Sequence, residues 1–165
     1  MADLDCIKGN NFVIIGRAGM DFYPDPPGTK TEESTMFFAA LGGSSANIGV
    51  AINRHGGRSS LVTCVSDDAI GRYCLNQLDH YGIGRHHVRS VGGEARNSLA
   101  VVESRTEDHQ SIIYRNGAAD FEMGLEDVEP VDYAAYSALI TTGTVLAAEP
   151  SRSASFRAFE LAKAA

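Results

Sequence analysis

Apolar positions along this chain fall into two kinds of run that take turns. Phe12-Val13-Ile14-Ile15-Gly16, Ser59–Val65 and Ala138–Thr142 are nearly unbroken in apolar and small residues. Such runs predict strands buried on both faces of a parallel sheet. Between them the spacing turns helical. Ile48, Ala51, Ile52 and His55 stand at i, i+3, i+4, i+7 and predict a helix buried on that face, capped by Ser44 or Ser45 and closed by Gly56-Gly57 in the left-handed conformation. Ile70, Tyr73, Cys74, Leu75, Leu78 and Tyr81 predict a second helix, with Asp67 or Asp68 as its cap and Gly82 as its stop. Glu126–Ala135 is weakly helical, and Pro150-Ser151 opens an Ala/Phe-rich helix that runs to Ala165.

A different texture interrupts this alternation. Tyr23–Glu33 is rich in Pro and Gly and predicts a loop, followed by a short strand over Ser34–Leu41. His87–Val91 reads as a short strand before a Gly92-Gly93 turn. Asn97–Glu103 then pairs as a hairpin with Gln110–Arg115, across the polar loop of residues 105–109. The fold class is therefore α/β: a mainly parallel sheet flanked by helices, with a small antiparallel sheet added. No repeat, low-complexity tract or linker divides residues 1–165.

Composition narrows the function classes. Apolar residues make up 44% and charged residues 21%, the balance of a soluble globular domain. A net charge of −7 without any Lys/Arg cluster argues against nucleic acid and against anionic membrane surfaces. No run approaches transmembrane length, and Asp3 and Asp5 sit where a signal peptide would be apolar. Cys6, Cys64 and Cys74 are odd in number and form no CxxC pair, which reads as reduced thiols in a cytoplasmic protein.

The chemistry concentrates at Leu41-Gly42-Gly43-Ser44-Ser45-Ala46-Asn47-Ile48. Glycines without Cβ let backbone approach a ligand closely, and the helix start turns N–H groups toward it. Asn47, a poor helix former in the first turn, is a candidate to face that ligand. Asp21 follows the first strand, at the sheet end where open α/β folds bind ligands, although a loop-capping aspartate before Pro24 fits the same pattern. Gly16-Arg17-Ala18-Gly19 lacks the spacing of a dinucleotide fingerprint, and the prolines after it forbid the required helix. No P-loop motif occurs. Adjacent side chains alternate faces on a strand, so His86-His87 reads as a surface turn and no metal site is expected.

The glycine turn, the Ala46-Asn47 pair and the glycine after the helix resemble the N-terminal signature of the ribokinase-like (PfkB-type) carbohydrate kinases. Ser45, Gly49 and Ser66 depart from that pattern in size-conservative ways. Together with Gly16–Asp21, Tyr114–Asp120 and Thr142-Gly143-Thr144, the set is most similar to the branch acting on keto-deoxy sugar acids. The resemblance implies an α/β core with a β-sheet lid over the sugar, built from about residues 23–41 and 96–115, and a lid surface through which a homodimer could form. It implies a sugar or sugar-acid substrate bound by Asp21, Gly42, Gly43, Ser44 and Asn47, with ATP and Mg2+ as cofactors. Arg115 matches an arginine that meets the acid group in sibling kinases, where the planar fork suits a carboxylate; a solvated hairpin arginine is the alternative. Arg96 and Arg17 are weaker candidates. Family members run well past this length, and their Gly-Ala-Gly-Asp motif, which carries the general base, has no counterpart here. The expectation is an N-terminal part of a kinase, inactive alone, or else a non-catalytic sugar-binding or dimerisation module.

Overall fold

A computed structural model describes residues 9–165; Asp3, Asp5 and Cys6 lie outside the described residues. Its first sheet is parallel, in the order β5-β4-β1-β8, with β1 spanning Asn11–Ile15, β4 Arg58–Ser66, β5 Gly84–Val91 and β8 Ala138–Thr141. The unbroken apolar runs resolve into two interleaved stripes. Val13, Ile15, Val62 and Cys64 face a cluster completed by Met123, Val128, Val145, Ala154 and Ala158. Ile14 and Leu61 point the other way, onto Ala46, Leu78 and Ile83. Each stripe has its own helices: α1 (Ser44–Arg54) and α2 (Ala69–His80) on one side, α3 (Leu125–Val128) and α4 (Ser151–Ala164) on the other. That is why both faces of β1 had to be apolar.

A second sheet has the order β3-β2-β6-β7, with β2 spanning Gly19–Asp25, β3 Met36–Gly42, β6 Leu99–Val102 and β7 Ser111–Tyr114. The hairpin pairs in the expected place, Leu99 opposite Tyr114 and Val102 opposite Ser111. β2 runs through Tyr23, Pro24 and Asp25, where sequence predicted loop. Pro24 is tolerated there because pairing with β6 ends at Phe22, so β2 has only one partner at that point. Asp21 accordingly lies inside β2 of this second sheet and not at the end of the first strand.

Three local expectations are corrected. α1 is not buried on its Ile48–His55 stripe: Ala51 and His55 are exposed, and the buried positions are Ser45, Ala46 and Gly49. Small residues win because the helix backbone sits close to β4, where a Cβ on Gly49 would stand 3.2 Å from Ser59 Oγ. Neither serine caps α1; Gly43 holds the cap position at φ 96°, and both hydroxyls bond elsewhere. His86 and His87 lie on β5, not in a turn. A bulge there sets Arg85 and His86 together opposite Leu61, which breaks the alternation of faces. The two rings are 4.0 Å apart and both lie against the Tyr136 hydroxyl, at 3.2 and 3.4 Å. The second helix behaves as read: Asp68 accepts from the N–H groups of Ile70 and Gly71.

Candidate functional site

The two sheets meet at the residues joining β1 to β2, and the start of α1 is folded onto that junction. Gly16, at φ 144°, leaves the space that Ser45 Oγ occupies as it donates to the carbonyl of Ile15 at 3.2 Å. The Arg17 carbonyl accepts from Ala46 N–H and presses on Gly43 so closely that no Cβ fits there. Glycine at 16 and 43 is thus a steric requirement for bringing the helix N-terminus to this place.

Asp21 projects from β2 onto the backbone of Gly42. A Cβ on Gly42 would stand 2.8 Å from Asp21 Oδ2 and closer still to the rest of the carboxylate. Asp21 Oδ1 is buried and, among the described residues, has no hydrogen-bond partner. Burial raises the Asp21 pKa above its ordinary value, and the charge of Arg17 opposes the rise. A buried, unpartnered carboxylate oxygen is an unfavourable thing to build without a donor to meet it.

Arg17 is 9% exposed, and among the described residues it forms no ion pair. Its Nη1 donates to Ser98 Oγ at 3.1 Å. Ser98 is fixed in turn by its neighbour Asn97, whose side chain ties together three elements. Asn97 Oδ1 accepts from Ser66 N–H at 2.6 Å, and its amide donates to the Ala18 carbonyl at 3.2 Å and toward Cys74 Sγ at 3.0 Å. Burial pushes the Cys74 thiol up to about 12, so it serves as packing.

On the other flank a chain of hydroxyls runs from α1 to the end of β8. Ser44 Oγ donates to Thr142 Oγ1 at 3.1 Å, and Thr142 Oγ1 lies 3.1 Å from Thr144 Oγ1. The Thr144 carbonyl accepts from Arg115 Nη1 at 2.9 Å. Arg115 also forms an ion pair with Asp120 and stacks over Phe121 at 4.1 Å, so its charge is already met within the chain. Arg115 Nε and Asp120 Oδ1 are buried without partners among the described residues. Asn47 is exposed on the first turn of α1.

The structure therefore gathers Asp21, Gly42, Gly43 and Ser44, and joins Arg115 to them through Thr142 and Thr144. Arg96 is not joined: it is exposed, and its Nη1 donates to the carbonyls of Gly93 and Ala95 in its own turn. The reading of the sequence used Thr142, Thr144 and Asp120 only as parts of resembling motifs and Ser98 only as a hairpin residue, and gave none of the four a role at the site. Thr142 and Thr144 carried a signal, since they close a buried parallel strand at the same sheet end as Gly16. Ser98 and Asp120 carried none that spacing reveals. Among the described residues no group of three or more His, Cys, Asp or Glu side chains is placed to hold a metal ion, and no helix is long and apolar enough to cross a membrane.

Residues 10–165 match the profile of the pfkB family carbohydrate kinase. The 5-dehydro-2-deoxygluconokinase of Photobacterium profundum is 36% identical over 151 residues, covering 92% of this chain and 46% of that protein. The protein of the same description from Clostridium beijerinckii is 34% identical over 160 residues, covering 96% and 47%. A crystal structure of fructokinase with bound ATP from Xylella fastidiosa superposes with a TM-score of 0.82 at 20% identity, over 95% of this chain and 49% of that one. The chain spans about half the length of the curated relatives it matches.

Proposed function

The chain belongs to the pfkB family of carbohydrate kinases, and from that premise we propose that it forms the sugar-binding part of an ATP-dependent kinase for a sugar or sugar acid. The description shared by the relatives from P. profundum and C. beijerinckii points to 5-dehydro-2-deoxy-D-gluconate as the substrate. The observation that carries the reading is Asp21: a half-buried carboxylate whose Oδ1 is buried and, among the described residues, unpartnered, held against glycine backbone beside a helix start. Two neighbouring sugar hydroxyls donate to its two oxygens. The N–H groups at the start of α1 and the amide of Asn47 meet the sugar's own oxygens. Arg115 borders this cradle through Thr144, whereas Arg96 keeps to the carbonyls of its own turn.

The second sheet acts as the lid. Asp21 shares its face with Tyr23, Phe38 and Ile113, since all stand at alternate or directly opposed positions in the ladder. Such a face shields the sugar from water during transfer. Phe38 and Ile113 are 66% and 57% exposed, which favours pairing of two subunits through the same sheet. Phosphoryl transfer needs a base, an anion hole and a magnesium site. We assign ATP and Mg2+ mainly to the portion of the relatives that these residues do not span; among the described residues no cluster of three or more His, Cys, Asp or Glu side chains could hold the metal by itself. A cytoplasmic setting suits the reduced state of Cys64 and Cys74.

The test is calorimetric titration of 5-dehydro-2-deoxy-D-gluconate into the chain. Saturable binding that Asp21→Asn weakens at least about tenfold is expected, from the loss of hydrogen bonds to a charged group. With these 165 residues alone, sugar-dependent ADP release stays at the no-protein level. No binding to the wild-type chain would remove the sugar-site reading.

A further inference from the structure

Arg17 stands out once the charges around the cradle are matched with one another. Arg115 already has Asp120, the Thr144 carbonyl and the ring of Phe121. Arg96 is spent on carbonyls of its own turn. Arg17 is more than nine-tenths buried, and Ser98 Oγ is its one side-chain hydrogen-bond partner among the described residues. A guanidinium carries five N–H donors, and burying one without an anion is costly.

Its position is fixed by the strand register. Gly19 and Asp21 are two residues apart on β2 and therefore share a face. A Cβ on Gly19 would stand 3.6 Å from Arg17 Nη1, while a Cβ on Gly42, which is directly opposite Gly19 in the ladder, would stand 2.8 Å from Asp21 Oδ2. The facing glycines thus open a floor with no side chains, bounded by the Arg17 guanidinium and the Asp21 carboxylate. Asp21 does not close on Arg17 as an ion pair, and its Oδ1 has no donor. A group that fits between them offers hydroxyls to Asp21 and an anion to Arg17.

We propose that Arg17 recognises the carboxylate of a sugar-acid substrate and is the residue that separates acids from neutral sugars. This rests on the sugar-site reading above and adds to it the charge of the ligand and the residue that reads it. Ser98 holds one edge of the fork, leaving the other to the carboxylate. Gly19 keeps the approach open, because any side chain there would meet Ser98 Oγ at 2.9 Å and crowd the guanidinium.

The experiment compares two probes on the chain by calorimetry: 5-dehydro-2-deoxy-D-gluconate, and the same compound as its C1 primary amide, which has the same shape and no charge. The wild-type chain is expected to favour the acid by roughly 10- to 100-fold, the range of a hydrogen bond between charged groups. Arg17→Met, which keeps most of the buried volume, erases the ratio while amide affinity stays within about threefold. Arg17→Lys retains part of the ratio, since the charge remains and the fork is lost. Arg115→Met keeps the ratio. Should Arg17→Met fail to fold, Arg17→Lys and Ser98→Ala decide, each expected to lower the ratio without abolishing amide binding. A ratio that survives both of these, or that disappears in Arg115→Met instead, overturns the assignment. Equal binding of both probes to the wild type also overturns it and leaves the sugar site standing. Binding of neither defeats the sugar site itself.

Discussion

Gly42→Ala separates the placement of the Asp21 carboxylate from the stability of the fold. Gly42 does not lie in the left-handed region, so alanine brings no backbone strain. The added methyl would stand 2.8 Å from Asp21 Oδ2 and nearer still to Cγ and Oδ1, inside any tolerable contact. The strand backbones cannot part without breaking the β2–β3 ladder, in which Gly19 pairs with Gly42 and Asp21 with Ala40. The cheap relief is rotation of the short Asp21 side chain. Leaving a preferred rotamer costs about 0.5–1.5 kcal/mol, which lowers Tm by about 2–5 °C in a chain of this size. The ligand loses more. Hydrogen bonds to a charged group are each worth about 1.5–3 kcal/mol, so affinity for 5-dehydro-2-deoxy-D-gluconate falls about 10- to 150-fold. Calorimetry and thermal unfolding on wild type, Gly42→Ala, Asp21→Ala and the double variant check both sides. In the double variant the methyl meets empty space, so it binds no more weakly than Asp21→Ala and melts above Gly42→Ala. Wild-type affinity in Gly42→Ala, or binding losses that simply add, would refute the argument that Gly42 exists to seat Asp21.

Three further outcomes follow from titrating groups. Burial, opposed by Arg17, raises the Asp21 pKa in the folded chain above 3.8, so the native state holds this proton longer than the unfolded one and stability falls as pH rises through that window. Asn at position 21 removes the penalty: in urea titrations it should be more stable than wild type near pH 7, with the gain shrinking toward pH 4, and a constant difference would contradict this. His87 moves the opposite way, burial first and then the charge of His86 lowering it below 6.5. Its neutral packing against Tyr136 is complete above that value and weakens as pH falls, so His87→Gln should flatten the decline in Tm on acidification, and an unchanged slope would count against it. Glu103 is held at about 2, chiefly by the N–H of Thr31 and, against burial, also by Arg105 and the N–H of Gln110. Its contribution is present above 4.5 and is lost as pH falls toward 2; Glu103→Gln should speed hydrogen exchange at Thr31 and Gln110 at neutral pH, and unchanged protection there would show that the two loops hold without it.

Some of this protein is written in local sequence. The continuous apolar runs at residues 12–16, 59–65 and 138–142 had to be strands of a two-sided sheet, because helices cover both of its faces. Asp68 and Gly82 mark the ends of α2 through chemistry confined to a few neighbouring residues. The glycine turn before α1 was legible for the same reason. What tertiary structure decided were matters of approach and of company. The buried face of α1 went to Ser45, Ala46 and Gly49 because the helix lies against β4 at a distance only small residues allow, a distance that no heptad pattern contains. His86 and His87 came together through a bulge set by β4, their partner in the sheet. Arg115 and Arg17 look alike in sequence, each an arginine near a strand end. Only folding gave one an aspartate and an aromatic ring and left the other buried beside Asp21 with its fork half filled. Charge pairing depends on residues far apart in the chain, and for that reason the sequence displays the candidates while the fold selects among them.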